Sequence, residues 1–146
     1  MHSSRTRPVI GILGGGQLAK MLLQAAARLG VQVNVLHHGD VSSVLTTCPV
    51  RVGNWNDPDT LVDFARGCDV VTLENEFIEA EALAAIENAG HRLFPSAATM
   101  ALAQDKYIQK QTLADAGLPT PDFRAVESPE EVVEAARAWG WPLVLK

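Results

Sequence analysis

An α/β fold built on a mostly parallel, doubly wound sheet is what this 146-residue sequence predicts. Three observations carry the expectation. Short apolar, β-branched runs alternate with segments of helical period, a glycine triplet stands between the first run and the first helix, and Gly or Pro marks most junctions. Parallel strands separated by helices require crossovers, and such crossovers are right-handed.

Residues 8–13 (PVIGIL) form the first expected strand. A helix follows over 17–29, with Leu18, Met21, Leu22, Ala25 and Leu29 at helical spacing and Gly30 as its stop. Residues 31–36 read as the second strand and 50–52 as a very short third. Asp57-Pro-Asp-Thr opens a helix with proline in its first turn, leading into 61–65. Residues 69–73 (DVVTL) are short and β-branched, as in a buried strand, and 80–89 form a helix before Gly90. Residues 91–94 are a fifth strand candidate, closed by Pro95.

The character changes from about Ser96. Helical stretches over 97–103 and 105–116 run into Gly117-Leu-Pro-Thr-Pro, and 123–126 reads as extended. Ser128-Pro-Glu-Glu opens a helix to Trp139, because serine caps, proline suits the first turn and glutamates favour the positive helix end. Residues 142–146 are strand-like, and an apolar strand there needs a neighbour and a covering layer: either it pairs with an earlier segment or, the favoured expectation, the domain continues past Lys146. The expected organisation is a disordered tail over 1–7, a substrate domain over 8–97 and the incomplete beginning of another domain over 98–146.

Twelve basic and 17 acidic residues give a net charge of −5 with no basic stripe, so nucleic acid is not an expected partner. No apolar run approaches the roughly 20 residues that span a bilayer. The start, MHSSRTRP, lacks the apolar core of a signal peptide and reads as a frayed tail. Cys48 and Cys68 have no CxxC or metal-like spacing, which fits free thiols in a reducing cytoplasm and no zinc site.

Gly14-Gly15-Gly16-Gln17-Leu18-Ala19 fits G-x-G-x-x-A between a strand and a helix. Glycines permit a tight turn and close backbone approach, and the helix start offers free N–H groups and a positive dipole end to an anion. A ligand-free tight turn is the competing reading. A dinucleotide would need an acid near the end of the second strand. That strand ends Leu36-His37-His38-Gly39, with Asp40 late, so the phosphate of another ligand is the better expectation. Adjacent His37 and His38 would point to opposite sides of an extended chain and are read as loop residues, not as a joint metal site. Glu74 and Glu76, two apart after the buried strand, would share a face and could turn both carboxylates into the crevice that receives the glycine loop. There they would accept hydrogen bonds from ribose hydroxyls or an amine; a solvated acidic loop is the alternative.

GILGGGQLAKM (11–21), VVTLENEF (70–77) and ALAQDKYIQKQTLADAGLPTPDF (101–123) resemble the N5-carboxyaminoimidazole ribonucleotide synthetases, ATP-grasp enzymes of purine synthesis. The resemblance covers nearly the whole chain after the tail. It implies a Rossmann-like, pre-ATP-grasp substrate domain followed by the start of an ATP-grasp domain. The implied reaction uses ATP to phosphorylate bicarbonate, and carboxyphosphate or the CO2 released from it carboxylates the exocyclic amine of aminoimidazole ribonucleotide. The resemblance also implies that Gly14, Gly15, Gly16, Gln17 and Leu18 help hold the phosphoribosyl part, with Glu74 and Glu76 nearby. Lys106 and Lys146 match positions that contact ATP phosphates, although from the residues alone Lys106 is a surface helix lysine and Lys146 an ordinary strand-end lysine. The glycine-rich flap, the Mg2+ ligands and the catalytic residues would lie past Lys146, leaving no metal site and no activity in this chain alone. Such enzymes are often homodimers. One departure is local: the commoner pattern T-x-E-F-E-N reads here as Thr72-Leu-Glu-Asn-Glu-Phe, exchanging phenylalanine and asparagine. A sister ligase acting on glycinamide ribonucleotide and a non-catalytic nucleotide-binding module remain alternatives.

Overall fold

The structure, a computed structural model, describes residues 7–39 and 48–146. The expected tail, apart from Arg7, and Asp40 lie outside the described residues. The chain divides into two compact units, residues 1–101 and 102–146.

In the first unit β1 (Val9–Leu13), α1 (Gln17–Leu29), β2 (Gln32–His37), β3 (Val50–Val52), α2 (Pro58–Ala65), β4 (Val70–Leu73) and α3 (Ala80–Asn88) follow in order, and α4 (Ala97–Gln104) begins there. All strand pairs are parallel, in the spatial order β3-β2-β1-β4. Leu13 stands beside Leu36 of β2 and Leu73 of β4. The chain moves outward from β1 through β2 to β3, then returns to the other side of β1, so β1 and β4 flank the point where the winding reverses.

Both faces of this sheet are covered, which is why the central strand β1 reads as an unbroken apolar run (VIGIL), whereas β2 and the short β3 also carry polar residues. Neighbouring residues serve opposite layers: Ile12 and Val35 pack with Ala19 and Ala26 of α1, whereas Leu13 and Leu36 pack with Leu61, Phe64, Leu83 and Ile86 of α2 and α3. The apolar positions that mark α1 in the sequence are not those it buries. Leu18, Met21, Leu22 and Leu29 are exposed, and Ala19 and Ala26 bring the helix close to the sheet because they are small. In β1, a Cβ on Gly11 would meet Cys68 Sγ at 2.7 Å and Phe64 Cε1 at 2.8 Å, so glycine there sets how closely α2 approaches.

Asp57 caps α2 through Thr60 N at 3.1 Å, and the Thr60 hydroxyl beside it holds the Asp57 carboxyl below the usual range. The Asp63 carboxyl is lowered likewise, by its bond to Arg51 at 2.6 Å. The expected fifth strand is reduced to one parallel bridge between Val71 and Leu93, held by Val71 N to Arg92 O (2.8 Å) and Phe94 N to Val71 O (2.9 Å). Phe94–Pro95 ends it: proline supplies no N–H to continue a ladder.

The second unit holds α5 (Lys106–Asp115) and α6 (Pro129–Trp139). Asp105 caps α5 through Tyr107 N and Ile108 N, at 2.8 and 2.9 Å. Ser128 caps α6 through Glu131 N at 3.3 Å, while Glu131 Oε2 accepts from Glu127 N at 2.8 Å, a reciprocal arrangement that satisfies two backbone donors. Phe123 lies between Tyr107, ring to ring at 5.7 Å, and Lys110, whose Nζ stands 5.9 Å from its centroid. Neither 123–126 nor 142–146 forms a strand. Without a partner edge an apolar run stays unpaired, and Val144 and Leu145 are 84% and 69% exposed.

Candidate functional site at the reversal of the sheet

Where β1 and β4 end side by side, one backbone bond ties the residue after β1 to β2 and another ties the residue after β4 to the end of β1. Gly14 N donates to Leu36 O at 2.9 Å and Glu74 N donates to Leu13 O at 3.1 Å. The glycine loop and the first glutamate, which the sequence read as sharing a crevice, are therefore neighbours at the carboxyl ends of the strands, where doubly wound sheets bind ligands.

The glycines already hold an anion, and it is the protein's own. Gly16 caps α1 and has no side chain to satisfy the helix donors. The carboxylate of Glu74 does so instead: Oε1 accepts from Gly16 N at 2.8 Å and Oε2 from Ala19 N at 3.1 Å. Gly14 has φ +109°, and a Cβ there would meet Glu74 Cγ as well as Asn75 Nδ2 and Glu74 Oε1, both at 2.7 Å. A Cβ on Gly16 would stand 2.9 Å from Glu74 Oε1. Gly14 and Gly16 thus make room for Glu74 as much as for any ligand. Gly15 is buried between them, whereas the side chains of Gln17 and Leu18 are exposed. In the first turn of α1, the N–H groups of Gln17 and Leu18 have no acceptor among the described residues.

Glu74 and Glu76 do not share a strand face. Strand β4 stops at Leu73 and the chain bends over 74–76, so the alternation that would align them ends before it reaches them. Glu74 is half-buried against α1, and Glu76 is exposed on the turn. The residue between them, which the sequence reading marked only as a departure from the commoner pattern, builds that turn: Asn75 Oδ1 accepts from Phe77 N at 3.0 Å, and its Nδ2 stands 3.4 Å from Glu74 Oε1. Asparagine two residues past the end of a strand is a local turn signal. Phe77 is left 72% exposed.

At the end of β2, His37 closes the strand instead of opening a loop, since His37 O accepts from Gly53 N at 3.0 Å. Both imidazoles pack on Trp55, a residue the sequence reading passed over. His37 meets it edge-on at 6.4 Å and His38 is tilted against it at 5.4 Å. No three His, Cys, Asp or Glu side chains converge as a metal site among the described residues. Lys106 and Lys146 lie in the second unit, where Lys106 Nζ donates to Ala103 O at 2.9 Å and Lys146 is exposed. No helix among the described residues is long and apolar enough to cross a membrane.

Comparison with known proteins agrees on one family. The ribonucleotide synthetase preATP-grasp domain matches residues 8–104. Phosphoribosylaminoimidazole carboxylase of Ogataea methanolica is 37% identical over 142 residues, 94% of this chain and 26% of the relative. N5-carboxyaminoimidazole ribonucleotide synthase of Synechococcus elongatus is 37% identical over 149 residues, 100% of this chain and 38% of the relative. Among solved structures, N5-carboxyaminoimidazole synthase of Aspergillus clavatus, in complex with ADP and 5-aminoimidazole ribonucleotide, superposes with a TM-score of 0.75 at 32% identity, covering 93% of this chain and 37% of that one. The chain spans 26% and 38% of the length of the two sequence relatives.

Proposed function

The chain belongs to the ribonucleotide synthetase preATP-grasp family, and from that premise we propose that it is the substrate-binding portion of an ATP-grasp ligase that carboxylates 5-aminoimidazole ribonucleotide. In that reaction a bicarbonate oxygen attacks the γ-phosphorus of ATP and ADP leaves. The exocyclic amine either attacks the carbonyl carbon of carboxyphosphate and expels phosphate, or attacks CO2 after carboxyphosphate has split into CO2 and phosphate; in both cases the amine then loses a proton. The products are N5-carboxyaminoimidazole ribonucleotide, ADP and phosphate.

One observation carries the reading: Glu74 is seated on the first-turn amides of α1 at the junction of β1 and β4. An ionised carboxylate has about four lone-pair positions, so two amide bonds do not exhaust it, and it can accept from a ribose hydroxyl or the amine of a bound nucleotide. The N–H groups of Gln17 and Leu18 would face an anionic or carbonyl group of the same ligand, and the glycines Gly14, Gly15 and Gly16 let its backbone-facing edge come close. Glu76 would contribute from the exposed rim. Lys106 and Lys146 are the proposed contacts of ATP phosphates, a task that suits a compact ammonium charge. Mg2+ would neutralise charge developing on the transferred phosphoryl group, and no step of that transfer is assigned to this chain's carboxylates. The cytoplasm, a homodimer and the absence of a nucleic-acid partner complete the proposal.

The test is a titration of the 146-residue chain with 5-aminoimidazole ribonucleotide, followed by calorimetry and by amide resonances, with glycinamide ribonucleotide as the control. Binding should perturb Gly15, Gln17 and Leu18 and be abolished by Glu74→Ala. Saturating aminoimidazole ribonucleotide that leaves those amides unmoved, or tighter binding of the glycinamide compound, would overturn the assignment.

A further inference from the structure

Asn75 is engaged at both ends of its side chain. Its Oδ1 accepts from Phe77 N at 3.0 Å, which fixes the orientation of the amide, because the rotated group would set an NH2 against the Phe77 N–H. Nδ2 is thereby directed at Glu74 Oε1, at a long 3.4 Å. The same Oε1 takes Gly16 N at 2.8 Å, whereas Oε2 takes only Ala19 N, at 3.1 Å. The two oxygens of Glu74 are therefore unequal. Oε1 meets two donors, which fills its two lone-pair positions, and Oε2 meets one and keeps a position open. Gly14 serves this arrangement too, since a Cβ there would stand 2.7 Å from Asn75 Nδ2.

We propose that Asn75 is a positioning residue: by closing the 74–77 turn and saturating Oε1, it presents Oε2 of Glu74 as the one atom that reads a donor on the ligand. The ligand half of this statement rests on the crevice being the nucleotide site. Asn75 touches neither the ligand nor the reacting atoms and acts only through Glu74. The exchange of asparagine and phenylalanine noted in the sequence then has a physical consequence, because a phenylalanine between the glutamates could neither accept from residue 77 nor donate to Glu74.

Two variants separate the roles. Asn75→Ala removes both contacts. Asn75→Asp keeps the acceptor for Phe77 N but sets a second carboxylate against Oε1, where like charges repel. In the 146-residue chain, both variants should shift the Gly16 amide proton and speed hydrogen exchange at Gly16 and Ala19 by about tenfold or more, with the Phe77 amide unchanged in the aspartate variant alone. In titrations with 5-aminoimidazole ribonucleotide, both should raise Kd by about tenfold, a difference of about 1.4 kcal/mol. An aspartate variant whose Gly16 and Ala19 amides match the parent would make Asn75 a turn former only and overturn the proposal. If the parent chain takes up no aminoimidazole ribonucleotide while the amides respond as expected, the ligand reading falls and the positioning of Glu74 stands.

Discussion

Replacing Glu74 by glutamine keeps the shape of the side chain and removes what the glycine loop holds. The carboxylate accepts from Gly16 N and Ala19 N at 2.8 and 3.1 Å. An amide offers one carbonyl to one of those donors and turns an NH2 toward the other. Losing a bond to a charged acceptor costs about 1.5–3 kcal/mol, and the bond that survives weakens by about 1 kcal/mol when its acceptor becomes neutral. The attraction of a carboxylate to the helix start is contained in these figures and is not added again. Because Glu74 is only half-buried, solvent screening favours the lower part of the range, so Glu74→Gln should destabilise the first unit by about 2.5–3 kcal/mol. The assay is urea unfolding followed by the fluorescence of Trp55, which packs against the core of that unit, with Trp139 and Trp141 replaced by phenylalanine. With a slope of about 2 kcal/mol per molar, the midpoint should fall by about 1.25–1.5 M at unchanged slope. A midpoint within about 0.25 M of the parent, with the Gly16 and Ala19 amide resonances in place, would refute the argument that this carboxylate secures the start of α1.

Gly14→Ala should destabilise at least as much as Glu74→Gln, because a side chain at φ +109° is strained by about 1–3 kcal/mol and its Cβ expels Glu74. In a Glu74→Ala background the same change should be milder, and unfolding of the double variant measures that coupling. Gly11→Ala, whose Cβ would stand 2.7 Å from Cys68 Sγ and 2.8 Å from Phe64 Cε1, should cost about 1–3 kcal/mol by overpacking between β1 and α2, read in the same assay. Asp57 and Asp63 have lowered carboxyl pKa values, so their contribution is present above the unfolded value near 3.9 and is lost as pH falls through the folded values. The urea midpoint should accordingly drop between about pH 5 and pH 2, and Asp57→Asn with Asp63→Asn should flatten that drop. Ser128→Ala should cost about 1 kcal/mol, seen as faster hydrogen exchange at the first turn of α6.

Local chemistry made much of the fold legible. Gly16 and Gly30 bound α1, and Ser128 and Gly140 bound α6, and both helices run over the residues expected of them, because caps and left-handed stops act within a turn of the chain. The parallel sheet followed from strands alternating with helices, and the adjacency of Gly14 and Glu74 followed from the topology such a sheet imposes.

What sequence could not decide depends on partners distant along the chain. Whether 91–94 pairs as a strand or touches Val71 once is set by a neighbouring edge, not by its own propensity. The apolar spacing of α1 announced a helix but not its buried face, because Ala19 and Ala26 win that contact by being small enough for close approach. Most of all, the glycine triplet announced an anion site without saying whose anion fills it. Residues 16 and 74 meet only once β1 and β4 are laid side by side, and the carboxylate then satisfies helix donors that a local reading would leave to a ligand.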